Sequence, residues 1–276
     1  MVIKLPFLET MITQVCNLSC HGCTNYSDLP HKGYVTWEDG RQQLLPWLEK
    51  VSIDDFGIMG GEPLINPEVS KWLVGVRNLL PNSQIRFTTN GELLHKHFEI
   101  LNLSHDIGNI VFKITVHRNS PELEEIIEKI FRAYNWEPVQ EFGINRFKTT
   151  NNLRLQINRP NKFIKTYKNT YADMEPHDSD PSEAFKICVQ QKCPLLYNGK
   201  IYKCSTSGLL ESTLAKFNWP NKNKWEPYLG SGIAPTDSDA DILNFVNNFG
   251  KPELLCKQCP SESSAYIDHI KTVIVK

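Results

Sequence analysis

Apolar and polar residues along the first half of this chain alternate with two different periods, and the change of period sorts it into strands and helices. Residues 7–14 (FLETMITQ) predict a short strand. Residues 37–51 predict a helix with Thr36 as N-cap, an apolar side of Trp37, Leu44, Leu45, Leu48 and Val51, and a kink at Pro46. DDFGIM (54–59) predicts a buried strand. Asn66 as cap and Pro67 as first residue then open a helix in which Val69, Trp72, Leu73, Val76, Leu79 and Leu80 keep the 3.6-residue period. QIRFTT (84–89) is the next strand and a weaker helix spans 92–101. IVFKITV (110–116) is a strand, followed by a helix capped by Ser120 with Leu123, Ile126, Ile127, Ile130 and Phe131 on one face. NLRLQIN (152–158) alternates as a half-buried strand. Such alternation predicts βα units and a parallel sheet, with at least four units before residue 136.

The stretch KNTYADMEPHDSDPSE (168–183) is polar, acidic and rich in turn formers. It reads as a link between a domain over 1–167 and a smaller region over 184–276. That region contains a predicted hairpin turn at Asn198-Gly199-Lys200 and ends in a short strand, KTVIV at 271–275.

In parallel βα architectures the working residues gather at the carboxyl ends of the strands. Five unusual groups fall there: the stretch VCNLSCHGC, then GGEP (60–63), TTNG (88–91), His117-Arg118-Asn119, and Asn158-Arg159. Each has a plain structural reading. Asn90-Gly91 alone is a turn, Gly60-Gly61 lets the chain bend, Glu62 is a surface acid, and His117 is a satisfied structural histidine. Five such groups on one rim point instead to a site.

The formal charge of −1 gives no global field for a polyanion, so nucleic acid is not implied. No segment approaches the roughly 18–20 apolar residues that cross a bilayer. The N-terminus lacks the apolar core and cleavage site of a signal peptide. The expected compartment is the reducing cytoplasm, where cysteines serve as metal ligands or buried thiols.

The eight cysteines are segregated. Cys16, Cys20 and Cys23 lie in one loop, Cys188, Cys193 and Cys204 far downstream, and Cys256 and Cys259 near the end. Three thiolates spaced Cx3Cx2C suit a [4Fe-4S] cubane that keeps one iron open for a substrate or cofactor, since such clusters otherwise take four cysteines. CNLSCHGC (16–23), followed by MGGEP (59–63), resembles the radical S-adenosylmethionine (radical SAM) superfamily over residues 7–160.

The resemblance implies an α/β fold, a partial (β/α) barrel. It also implies a [4Fe-4S] cluster on Cys16, Cys20 and Cys23 whose open iron binds the amino and carboxylate groups of S-adenosyl-L-methionine. One electron then splits the sulfonium into methionine and a 5′-deoxyadenosyl radical, which takes a hydrogen atom from the substrate. Gly60, Gly61, Glu62 and Pro63 would meet the methionine ammonium. Thr88, Asn90 and His117 would touch methionine or ribose. One departure stands out: the position before the third cysteine is usually aromatic and here is Gly22. His21 or Tyr26 would then supply the adenine contact.

Cys188 and Cys204 enclose the predicted turn in a pattern similar to the SPASM/twitch extension behind many radical SAM barrels, in its shorter form with one auxiliary [4Fe-4S] cluster. Five thiols compete for four places. Cys204, Cys256 and Cys259 are the first choices, with Cys188 and Cys193 as alternatives. A structural zinc site in a non-catalytic interaction module is the competing reading. An auxiliary cluster would accept an electron from the substrate radical. The barrel is expected to begin near residue 1, and no preceding peptide-recognition domain is expected.

The expectation is therefore an oxidoreductase acting on a small polar molecule such as a sugar, cyclitol or nucleotide-sugar, with a peptide- or protein-modifying maturase as the alternative. A low-potential donor, flavodoxin or ferredoxin, would supply the electron. His117, Arg159 and Lys165 are the positional candidates for a proton acceptor.

Overall fold

The computed structural model describes residues 2–139, 146–169, 173–219, 221–268 and 273–275. Its strands are β1 (Ile3–Met11), β2 (Leu18–Cys20), β3 (Val51–Met59), β4 (Gln84–Thr89), β5 (Ile110–Thr115), β6 (Glu137–Val139), β7 (Arg146–Lys148), β8 (Arg154–Asn158), β9 (Lys162–Ile164), β10 (Leu195–Tyr197), β11 (Lys200–Tyr202), β12 (Tyr266–Asp268) and β13 (Val273–Val275). The principal helices are α1 (Trp37–Leu48), α2 (Val69–Leu79), α3 (Phe98–Ile107), α4 (Pro121–Ala133), α5 (Pro181–Lys186) and α6 (Ser205–Phe217).

One mixed sheet runs in the order β11-β10-β1-β3-β4-β5-β8-β7-β6. The stretch from β10 through β8 is parallel, and antiparallel hairpin strands close both ends. This is the α/β architecture of a partial barrel. The helices α1 to α4 cover one face of it, because alternate strand residues on that face are apolar. Phe56, Ile58, Ile85, Phe87, Phe112, Ile114 and Leu155 join Trp47, Trp72, Val76, Leu101 and Ile127 in one core. Burying a side chain of this size is worth about 1.5–3 kcal/mol.

Capping explains where the helices start. Thr36 accepts the Asp39 N–H at α1, and Ser120 accepts the Leu123 N–H at α4, both as expected. α2 begins later than the sequence suggested. Asn66 does not cap it: its fully buried amide donates to the carbonyls of Ile12 and Val35, and its oxygen accepts the Glu68 N–H. Asn66 is thus spent on joining β1 to the loop before α1. The expected helix over 92–101 forms instead at Phe98–Ile107, preceded by turns. Pro46 lies inside α1, which ends soon after it.

The second half of the chain docks on the first at the strand level. β10 lies parallel beside β1, and the turn to β11 has Asn198 at φ 49° and Gly199 at φ 77°. The terminal strand is formed at Val273–Val275 and pairs antiparallel with β2 inside the cysteine loop, Val273 opposite Cys20. Residues 271 and 272 of the expected strand lie outside the described residues. Within the 168–183 stretch, Pro181 begins α5, with Asp180 as its cap. Among the described residues, no helix is long and apolar enough to cross a membrane.

Candidate functional site

The carboxyl ends of β1, β3, β4 and β5 open onto one cavity of about 180 Å3. Cys16, Cys20, Cys23, Gly60, Gly61, Thr88, Asn90 and His117 all line it. The sequence had not singled out Thr115, Asp28 or Phe163, which line it too, as does Met59 of the MGGEP motif. Thr115 carries a signal only once the strand face is known. The ring of Phe163 stands edge-on to His117, centroids 5.5 Å apart.

The cysteine loop is shaped by turns. The Cys23 N–H donates to the Cys20 carbonyl and the Tyr26 N–H to the Cys23 carbonyl, with Gly22 at φ 74° and Tyr26 at φ 54°. Gly22 accounts for the missing aromatic. A Cβ there would lie 3.3 Å from both the Lys165 Cα and the Ile267 side chain, in a left-handed conformation that favours glycine.

The GGEP turn grips this loop from the side. Gly61 N–H donates to the Thr13 carbonyl and Glu62 N–H to the Val15 carbonyl, both at 2.8 Å. A Cβ on Gly61 would sit 2.5 Å from the Val15 oxygen, and one on Gly60 would sit 2.7 Å from the Thr13 oxygen. Only glycine permits that approach.

Glu62 and Pro63 are buried and do not line the cavity. The Glu62 carboxylate accepts from Thr89 Oγ1 at 2.7 Å, Asn90 N at 2.7 Å and Leu64 N at 3.0 Å. Burial raises this carboxyl to about 7, and the three donors restrain the rise. Asn90 passes the order on: its Nδ2 donates to Asn17 Oδ1 at 2.8 Å and lies 3.8 Å from Cys16 Sγ. The Leu18 N–H also donates to Cys16 Sγ, at 3.4 Å.

Burial pushes the Cys23 thiol up to about 12, and the Asp28 carboxylate adds to the rise. A thiolate there needs positive charge beside it, which a bound metal centre supplies. Three thiols of one loop on one cavity wall, with hydrogen-bond donors aimed at the first, fit the donor set of a site-differentiated cluster.

Tyr26 is elsewhere. It is fully buried away from the cavity, its ring edge-on to Trp219 at 5.8 Å and its hydroxyl donating to the Thr206 carbonyl. His21 is outside the cavity lining, held below the usual imidazole range by burial and by Lys165. Arg159 is engaged in a two-pronged ion pair with Glu124 at 2.6 and 2.7 Å, outside the cavity. Lys165 Nζ donates to the Asn169 carbonyl.

All eight cysteines are present as thiols. In the second group, burial raises Cys188 to about 11 and also raises Cys204, Cys256 and Cys259. Cys204 and Cys256 add to the rise at Cys188, Cys256 adds to that at Cys204, and Cys188, Cys204 and Cys256 add to that at Cys259, which places the four near one another. Cys193 is different. Burial raises it to about 12, and the charged groups next to it are chiefly Glu9, Lys113 and Arg86, with Cys188 the one thiol among its neighbours. Among the described residues, no three His, Cys, Asp or Glu side chains converge tightly enough to hold a single metal ion.

The family model of the radical SAM superfamily matches residues 10–145, from the end of β1 to beyond β6. Those residues form a radical SAM domain. Such a domain implies a [4Fe-4S] cluster and S-adenosylmethionine. Among curated proteins, this radical SAM domain is 26% identical over 144 residues to a GTP 3′,8-cyclase of Aquifex aeolicus, covering 47% of this chain and 44% of that one. A GTP 3′,8-cyclase of Peptoclostridium acidaminophilum is 32% identical over 101 residues, covering 34% and 30%. The chain thus spans less than half the length of these relatives. Beyond the radical SAM domain, the fold is similar over 94% of both chains to the crystal structure of BtrN in complex with AdoMet and 2-DOIA, at a TM-score of 0.50 and 14% identity.

Proposed function

We propose that this chain cleaves S-adenosylmethionine reductively and uses the resulting 5′-deoxyadenosyl radical to oxidise a small polar substrate. The observation that carries the reading is the meeting of three thiols from one loop, the Gly60-Gly61 turn and the strand ends of β4 and β5 on a single cavity. Cys16, Cys20 and Cys23 would hold the [4Fe-4S] cluster, which when bound supplies one electron to the sulfonium. The backbone of Gly60 and Gly61 and the side chains of Thr88 and Asn90 would orient the methionine and ribose. Glu62 acts from behind, fixing Asn90 by its backbone. His117, on the cavity wall beside Phe163, is the group suited to take a proton from the substrate.

Cys188, Cys204, Cys256 and Cys259 would hold an auxiliary [4Fe-4S] cluster, the acceptor of the second electron. Their mutual proximity supports this set over one containing Cys193. Flavodoxin or ferredoxin would supply the first electron. The expected setting is the cytoplasm.

The test is anaerobic. The reconstituted protein should hold about eight irons per chain and release 5′-deoxyadenosine when given reductant and S-adenosylmethionine. Cys20→Ala should hold about four irons and release none. Release by that variant at the wild-type rate would overturn the reading.

A further inference from the structure

The sheet face turned away from α1 to α4 is polar where the opposite face is apolar. Asp55, Gly57 and Met59 on β3 share it with Gln84, Arg86 and Thr88 on β4 and with Val111, Lys113 and Thr115 on β5, as the parallel register requires. Met59, Thr88 and Thr115 belong to the cavity wall. Lys113 is the register partner of Thr88 and lies two residues before Thr115 on the same face, so it sits directly beneath the cavity.

One cation on this face, Lys113, has no ion pair among the described residues, although Glu9 on β1 shares the face as the register partner of Gly57. Asp55 is taken: it accepts from Arg86 at 2.5 Å and from Gln84 at 2.9 Å, while Arg154 donates to Gln84. Arg86 also lies 4.9 Å over the Phe7 ring. Lys113 is partly buried, its charged neighbours are Arg86, Arg146, Glu9 and Cys193, and no carboxylate lies within ion-pair distance of its Nζ among the described residues. Burial raises the Glu9 carboxyl to about 8, against the pull of Lys113 and Arg86, so at neutral pH it does little to neutralise them. A partly buried cation without an ion-pair partner is costly unless something anionic completes it.

We propose that this face, at Lys113 with Arg86 beside it, holds an anionic group of the substrate, a phosphate or a carboxylate, below the S-adenosylmethionine cavity. This deepens the reading above and rests on it, by naming a substrate class for the same site. An anion anchored there would hold the rest of a small polar substrate upward, toward Thr88, Thr115 and His117. Arg86 keeps about a third of its side chain in solvent, so the anchor remains reachable.

Two probes separate the sources of charge: inorganic pyrophosphate and succinate, titrated by calorimetry into the reconstituted enzyme. Saturable binding of pyrophosphate alone supports a phosphate-bearing substrate, and binding of succinate alone supports a carboxylate. Lys113→Met should weaken the bound probe at least tenfold, and Lys113→Arg should lose less, since it keeps the charge while changing the donor geometry. Should Lys113→Met fail to fold, acetylation of Lys113 in the wild-type protein, followed by mass spectrometry, decides: the probe should protect that lysine and leave surface lysines unaffected. No saturable binding of either probe, or binding that neither protects Lys113 nor responds to its replacement, overturns the inference. Release of 5′-deoxyadenosine without anion binding overturns the anchor alone. Anion binding without release overturns the radical chemistry and leaves the anchor standing.

Discussion

The Glu62 carboxylate accepts the backbone N–H of Asn90 at 2.7 Å and so ties the turn after β3 to the turn after β4. Both turns line the cavity, and from Asn90 the order continues to Asn17 and toward the Cys16 sulfur. The cysteine loop is therefore held from two sides, by backbone hydrogen bonds from Gly61 and Glu62 and by the Asn90 amide.

Asn90→Ala removes a donor from the surroundings of Cys16. Donors near cluster sulfurs favour the more negative, reduced state. A difference of about 1 kcal/mol between oxidation states corresponds to about 40 mV for one electron. The potential of the first cluster should fall by that order in a titration followed by electron paramagnetic resonance. An unchanged or higher potential would contradict the geometry.

Gly61→Ala forces a methyl to within 2.5 Å of the Val15 oxygen. Overpacking of this kind costs about 1–3 kcal/mol, and here it pushes on the cysteine loop itself. Iron bound on reconstitution should drop along with stability. Gly199→Ala is the comparison: its φ is 77° but nothing lies within 4 Å of the added carbon. That variant should lose about 1 kcal/mol and keep its iron.

The raised Glu62 carboxyl makes stability depend on pH. The folded protein binds this proton more tightly than the unfolded chain, so the contribution is complete below about 4.5 and is lost as pH rises toward about 7. Anaerobic urea midpoints should fall over that interval, and Glu62→Gln should remove part of the slope. Equal slopes in the two proteins would show that Glu62 does not titrate there.

Of the downstream thiols, Cys193 has only Cys188 near it, while the other four lie near one another. Cys204→Ala or Cys259→Ala should cut iron from about eight to about four per chain, sparing S-adenosylmethionine cleavage while stopping product formation. Cys193→Ala should keep the full iron content. If iron analysis instead shows Cys193→Ala losing half and Cys188→Ala losing none, Cys193 takes the fourth place.

Much of the first half was readable because each signal is local. Ser120 before Pro121 marks a helix start wherever it occurs, and FTTNG or IMGGEP ends an apolar run with residues that must turn. Asn66 misled because the capping motif is local but its amide is used across the chain, on Ile12 and Val35. Tyr26 misled for a related reason. Its place in the loop suggested a neighbour for adenine, yet the left-handed backbone at that residue turns the ring into the core around Trp219. Arg86 and Lys113 sat in plain view inside QIRFTT and IVFKITV. Their meaning depended on which side of the sheet the helices would cover.

By itself, the order of residues determined the alternation of strands and helices, the parallel sheet, and three thiols close enough along the chain to share one loop, because these follow from periodicity and spacing. Tertiary structure alone decided which glycines touch backbone, that the terminal strand returns to pair with the cysteine loop, which distant thiols become neighbours, and that a partly buried lysine lies beneath the cavity. Those are contacts between residues far apart in sequence, and only the folded sheet brings their atoms within range of one another.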